Sequence, residues 1–256
     1  MKRRKPLLAA NWKMNLSRDE TGDLLKRVKR AEIDFSKVDV IVAPPFTNLQ
    51  LANELLAGTD ILVAGQNMHW EARGAFTGEI SPLMLKEVGC SHVILGHSER
   101  RTLFFETNEI INRKIDAAIE AGLMPIVCIG ETLKEREEKE TFNTIRSQLH
   151  GSLRMRCHKR SLPETVTLAY EPVWSIGTGK TATPEQAQDV HLFVRRWLRE
   201  NFDHDSGEAI RILYGGSVRP DNIKELMLQP DIDGALIGGA SLRADSLLSI
   251  IRYYED

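Results

Sequence analysis

The stretch Val166-Thr167-Leu168-Ala169-Tyr170-Glu171-Pro172-Val173-Trp174-Ser175-Ile176-Gly177-Thr178-Gly179-Lys180-Thr181-Ala182-Thr183-Pro184-Glu185-Gln186 contains a complete strand-to-helix passage. Val166 to Ala169 is apolar but for Thr167 and carries no charge, as expected of a strand covered on both faces. Glu171 then stands at the carboxyl end of that strand, where α/β enzymes carry their chemistry. Pro172 stiffens the exit by fixing φ. Gly177 and Gly179 permit the backbone angles of a mobile tip and leave amides approachable by an anion. Thr183-Pro184-Glu185-Gln186 reads as a capping box with proline at the first helical position. A carboxylate base beneath a closing loop is the reading that uses all of these parts.

The same unit recurs along the chain. Leu7–Ala10, Val40–Val42, Ile61–Ala64, Val93–Leu95, Ile126–Ile129, Val166–Ala169, Ile210–Leu213 and Ala235–Ile237 are short runs, apolar but for Thr167 and Arg211, and a helix-like stretch follows each. After Thr107, residues Ile111, Ile115 and Ala118 recur at helical spacing, and Gly122 stands where a C-cap belongs. Ser81-Pro82 opens another helix that Gly89 closes, and Leu133 to Leu149 reads as a helix with a heavily charged outer face. Eight such units in 256 residues match a single (β/α)₈ barrel domain over 1–256 in size and order. An open doubly wound sheet is disfavoured, because no G-x-G-x-x-G follows the first run.

Composition excludes several functions. Lys+Arg of 34 against Asp+Glu of 36 leaves a net charge of −2, so no whole-molecule field points to nucleic acid or an anionic membrane. The cluster His150, Arg154, Arg156, His158, Lys159 and Arg160 reads as a solvated helix end. Cys90, Cys128 and Cys157 have neither metal-ligand nor disulfide-framework spacing, which fits a reducing compartment. Leu7–Ala10 is too short for a signal peptide or a membrane span, so the cytosol is the expected location.

In a barrel, polar residues just beyond the strand ends converge on one mouth. The first run is followed by Asn11-Trp12-Lys13, the fourth by Gly96-His97-Ser98-Glu99-Arg100-Arg101, and the sixth by Glu171. Tyr214-Gly215-Gly216-Ser217 and Gly238-Gly239-Ala240-Ser241 follow the seventh and eighth. Glycine-rich turns at those last two ends suit a phosphate group, which bare backbone amides can surround. A carboxylate, a histidine donor, a lysine and a phosphate cradle suit proton abstraction beside the carbonyl of a small phosphorylated sugar. An aldolase on the same barrel would need a Schiff-base lysine or a metal set at the strand ends, and neither is evident. A barrel kept only as a scaffold would be expected to have lost its base, lysine or histidine.

Asn11–Asn15, Gly74–Ser81, Gly96–Arg101, Pro125–Glu131, Ala169–Thr183, Tyr214–Val218 and Gly238–Leu242, in this order, closely resemble the triosephosphate isomerase family. The resemblance implies reversible interconversion of dihydroxyacetone phosphate and D-glyceraldehyde 3-phosphate, a step of glycolysis and gluconeogenesis that needs no cofactor or metal. It implies Glu171 as the base, with a pKa nearer neutrality than an exposed glutamate's. His97 would be the electrophile, kept neutral by the helix start behind it. Lys13 would supply positive charge and Asn11 a hydrogen bond, while Glu99 would pair with Lys13 or lie beside His97. The phosphate would accept N–H bonds from Gly177, Ser217, Gly238 and Gly239. Gln66–Gly78 resembles a loop that enters a second subunit and brings Thr77 close to its Asn11 and His97, which implies a homodimer. Ser175 stands where the family more often has alanine, and His150–Arg160 and Met1–Lys5 match poorly.

Overall fold

The structure, a computed structural model, describes residues 4–154, 166–176 and 181–255. The sequence readings at Gly177, Gly179, Cys157 and the basic residues 156 and 158–160 lie outside them. Each apolar run is a strand, shifted by no more than two residues: β1 Leu7–Asn11, β2 Asp39–Ala43, β3 Ile61–Gly65, β4 His92–Leu95, β5 Met124–Ile129, β6 Thr167–Tyr170, β7 Arg211–Tyr214 and β8 Gly234–Ile237. They pair in sequence order, and β8 returns to β1 to close the barrel. All pairs are parallel.

The runs lack alternation because both strand faces are buried, in two different places. Leu7, Ala9, Ile41, Ile94, Ile126, Ala169, Leu213 and Leu236 fill the barrel interior. Their neighbours Leu8, Ala10, Val40, Val42, Val127 and Leu168 pack outward against the helices. Closure depends on one glycine: Gly234 has φ +143°, and a Cβ there would lie 1.9 Å from the Leu7 carbonyl oxygen, which only glycine avoids.

The helix signals hold where an apolar stripe accompanies them. Thr107 caps Asn108–Glu120, whose Ile111, Ile115 and Ala118 are buried, and Gly122 follows at φ +71°. Ser81 caps Pro82–Glu87, with Gly89 at φ +88°. Thr183 and Gln186 form the capping box of Pro184–Asn201. The helix expected over Leu133–Leu149 is instead two, Leu133–Glu137 and Thr141–Ser152. The first buries no residue, so it has no stripe to carry it forward. Lys139 and Glu140 turn back to donate to the carbonyls of Arg136 and Glu135, with Lys139 at φ +61°. The second helix starts afresh and buries Ile145 and Leu149. Among the described residues no helix is long and apolar enough to cross a membrane.

Candidate active site

Strand parity brings the polar residues to the mouth. Residues 7 and 9 of β1 and residue 169 of β6 face the interior, so Asn11 and Glu171, each two residues beyond an inward neighbour, continue inward where the strands end. Gly215 and Gly238 stand two residues beyond the inward Leu213 and Leu236 in the same way. His97 arrives differently. Gly96, at φ +68°, turns the chain after β4 and makes His97 the N-cap of the helix Ser98–Leu103.

The mouth is a cavity of about 800 Å³ lined by Asn11, Lys13, His97, Glu99 and Glu171 together with Gly215–Ser217, Gly238 and Gly239. Every described site residue singled out from the sequence therefore borders one space. A Cβ on Gly238 would lie 3.7 Å from Lys13 Cε, while around Gly239 nothing comes within 4 Å. The glycine wall and the ammonium thus adjoin, as recognition of a phosphorylated anion requires.

Glu171 is almost wholly buried, at 1% exposure. Its Oε2 accepts the Ser98 backbone N–H at 2.8 Å, and its Oε1 lies 2.9 Å from His97 Nε2 without the alignment of a hydrogen bond. His97 Nδ1 accepts the Glu99 N–H at 3.3 Å. The proton of a neutral ring is therefore on Nε2, facing the carboxylate. Glu99 takes both positions left open by the sequence: Oε1 lies 2.6 Å from Lys13 Nζ, and Oε2 lies 3.5 Å from His97 Nδ1.

The pKa directions run opposite to the sequence expectation. Burial drives the Glu171 carboxyl up, but His97, the Ser98 N–H and Lys13 outweigh it and hold the group below its ordinary value. Burial drives His97 down, and Glu171 with Glu99 carries it above its ordinary value. The reason is geometric: carboxylate and imidazole face each other directly, so each favours the other's charged form.

The family model described as triosephosphate isomerase matches residues 6–254. The chain belongs to the triosephosphate isomerase family. Triosephosphate isomerase of Endomicrobium trichonymphae is 50% identical over 251 residues, 98% of this chain and 99% of that one. That of Citrifermentans bemidjiense is 50% identical over 252 residues, 98% and 100% of the two chains, and that of Herpetosiphon aurantiacus 51% over 250 residues, 98% and 99%. The (β/α)₈ barrel and triosephosphate isomerase activity, the interconversion of dihydroxyacetone phosphate and D-glyceraldehyde 3-phosphate, are thereby established for the chain.

Within the triosephosphate isomerase fold, several supporting residues escaped the sequence reading. Lys13 sits at φ +53°, a costly conformation for a non-glycine residue. Its amide donates to Asn11 Oδ1 at 3.1 Å, and its carbonyl accepts from Gln66 Nε2 at 2.8 Å. Glu131, fully buried, receives Trp174 Nε1, Tyr170 Oη and Arg136 Nη1 on one oxygen at 2.9, 3.1 and 3.1 Å. It thereby ties the chain on both sides of Glu171 to the loop after β5. Ser98 and Glu131 lie inside motifs already quoted, but backbone donation and a buried carboxylate hub leave no periodic trace. Cys90 and Cys128 are buried and free; burial pushes the first thiol up to about 12 and the second well above its ordinary value.

Proposed function

We propose that the isomerisation runs through an enediol(ate), with Glu171 as base and His97 as electrophile. The observation that carries this reading is the 2.9 Å approach of Glu171 Oε1 to His97 Nε2 at the mouth that Lys13 also lines. A substrate carbonyl that takes the Nε2 proton must displace the carboxylate from that contact. Burial is the largest influence on both groups, and it then acts without the attraction that opposes it. The carboxyl moves up and the imidazole down, which yields a competent base and a neutral donor as the reactants meet.

Glu171 takes a proton from the carbon beside the carbonyl. The C–H electron pair becomes the new C=C bond, and the carbonyl oxygen takes the Nε2 proton. Glu171 then returns its proton to the neighbouring carbon, and the ring recovers one from the other hydroxyl. Lys13 offsets the charge on oxygen, Asn11 donates to the same region, and the amides of Ser217, Gly238 and Gly239 hold the phosphate. A coupled assay on glyceraldehyde 3-phosphate tests the assignment: Glu171→Gln should lose about 10²–10⁴-fold in kcat, and unimpaired turnover would refute it.

The proposed assembly is a homodimer. The Gln66–Gly78 loop carries Thr77 on an exposed stretch beside the partly exposed Phe76. Next to the active site lies a smaller cavity of about 180 Å³ bordered by Lys13, His97, Met14 and Phe104. Met14 is 95% exposed and Phe104 61%, so exposed apolar side chains border a pocket that is lined mostly by polar residues and has room for a small side chain. A two-fold dimer, with Thr77 of each subunit in this pocket of the other, covers both features. Free buried thiols are consistent with the cytosol, where glycolysis and gluconeogenesis would use the reaction.

A further inference from the structure

We infer that Gln148, on the outer helix Thr141–Ser152, is a positioning residue for Glu171 and acts through the backbone of Gly130. This rests on Glu171 being the base. In a parallel sheet alternate residues of a strand bond to alternate neighbours. From the end of β5 onward the odd residues face the β6 side: Ile129 O accepts the Glu171 N–H at 2.8 Å and Glu131 O accepts the Val173 N–H at 3.1 Å. The even residues face β4, as Met124 does in donating to Ser91 O at 2.9 Å. But β4 ends at Leu95 and Gly96 turns away, so the last even residues have no strand beside them.

Two side chains take the place of that strand. Arg101 Nη2 donates to Cys128 O at 3.0 Å while its Nε donates to Gly96 O at 2.9 Å. At Gly130 the Gln148 carboxamide behaves as a one-residue strand: its Oε1 accepts the Gly130 N–H and its Nε2 donates to Gly130 O, both at 2.8 Å. Gly130 in turn supports the base from behind, since a Cβ there would lie 1.8 Å from the Glu171 carbonyl oxygen. The backbone of Glu171 therefore rests on a segment whose outer edge is fixed by one amide from a different helix. Without it two buried backbone groups lose their partners, and the surface against which the base is held can shift.

The test compares Gln148→Met, similar in length but unable to hydrogen-bond, with Gln148→Glu, which keeps an acceptor for the Gly130 N–H and loses the donor. Leu149→Ala, a core truncation on the same helix, controls for lost stability, and Glu171→Gln controls for the base itself. Expected are a fall in kcat of about 10- to 100-fold for Gln148→Met, by the cost of displacing a catalytic group up to about 1 Å, and a smaller fall for Gln148→Glu. KM should stay within about twofold, and the primary deuterium isotope effect on kcat should rise as proton transfer becomes limiting. Leu149→Ala should lower Tm with little change in kcat. If both Gln148 variants fold and keep kcat and isotope effect within the range of Leu149→Ala, the inference is overturned. If one variant does not fold, the other decides by the same criterion. A Glu171→Gln enzyme at full rate would instead remove the base assignment beneath it.

Discussion

Gly215→Ala measures how tightly the proposed base, Glu171, is held. Gly215 follows β7 and has Glu171 beside it: an added Cβ would lie 2.9 Å from Glu171 Cγ and 3.2 Å from the Tyr170 carbonyl oxygen. The glycine cannot slide aside freely, because its N–H donates to that same carbonyl at 2.7 Å. Carbon atoms reach favourable contact only at about 3.5–4.0 Å, so Glu171 Cγ must retreat by about 0.6–1 Å. A displacement of about 1 Å at a reacting group costs on the order of 10²-fold, so the variant should lose about 10- to 100-fold in kcat. Overpacking should also cost about 1–3 kcal/mol of stability. KM should change little, because Ser217, Gly238 and Gly239 are untouched. The assay is steady-state isomerisation by a coupled dehydrogenase, with Gly22→Ala alongside. A Cβ added at Gly22 would meet nothing within 4 Å, and the residue lies in the helix Arg18–Lys29. That control should keep kcat and gain up to about 1 kcal/mol from helix propensity. A folded Gly215→Ala enzyme with kcat within twofold of the parent would refute the argument.

Further outcomes concern other parts of the molecule. His92 and His191 are buried, and burial holds each at about 4 against about 6.5 unfolded. Their folded pKa values are depressed, so the stability they contribute is present above pH 6.5 and falls as pH drops toward 4, by about 3 kcal/mol for each; urea unfolding between pH 7 and 4 should show this, with part of the loss abolished in His191→Gln, and a flat profile would contradict it. Lys13→Met should lower kcat/KM by about 10²–10³-fold, the cost of one preorganised electrostatic contact, without loss of Tm; a change below threefold would remove Lys13 from the oxyanion site. Deleting Ala72–Thr77 should give a monomer by sedimentation with turnover reduced at least tenfold, whereas a fully active monomer would defeat the shared-site reading.

The barrel was legible because its strands are buried on both faces, so most appear as unbroken apolar runs such as Val93–Leu95. The site was legible because strand ends deliver Asn11, Glu171 and Gly238 to one mouth by parity alone. What stayed hidden was set by contacts between distant segments. Gln148 satisfies Gly130, Gln66 supports Lys13 and Glu131 gathers Trp174 and Tyr170, and none of these pairs has a spacing that sequence could reveal. The charged run through Glu140 read as one helix because its charges suit a solvated helical face, whereas Leu133–Glu137 buries nothing that would hold it in line with the helix after it. The pKa directions at Glu171 and His97 depend on a 2.9 Å approach that no motif encodes.

In the proposed mechanism one carboxylate moves a proton between adjacent carbons. Isomerisation run in D₂O, with the product examined by proton NMR, is the decisive measurement. The parent enzyme should place deuterium on the carbon that gains a proton, because a proton held on Glu171 exchanges with solvent, and Glu171→Gln should form almost no product. Product free of solvent deuterium, formed at an undiminished rate by Glu171→Gln, would contradict the mechanism.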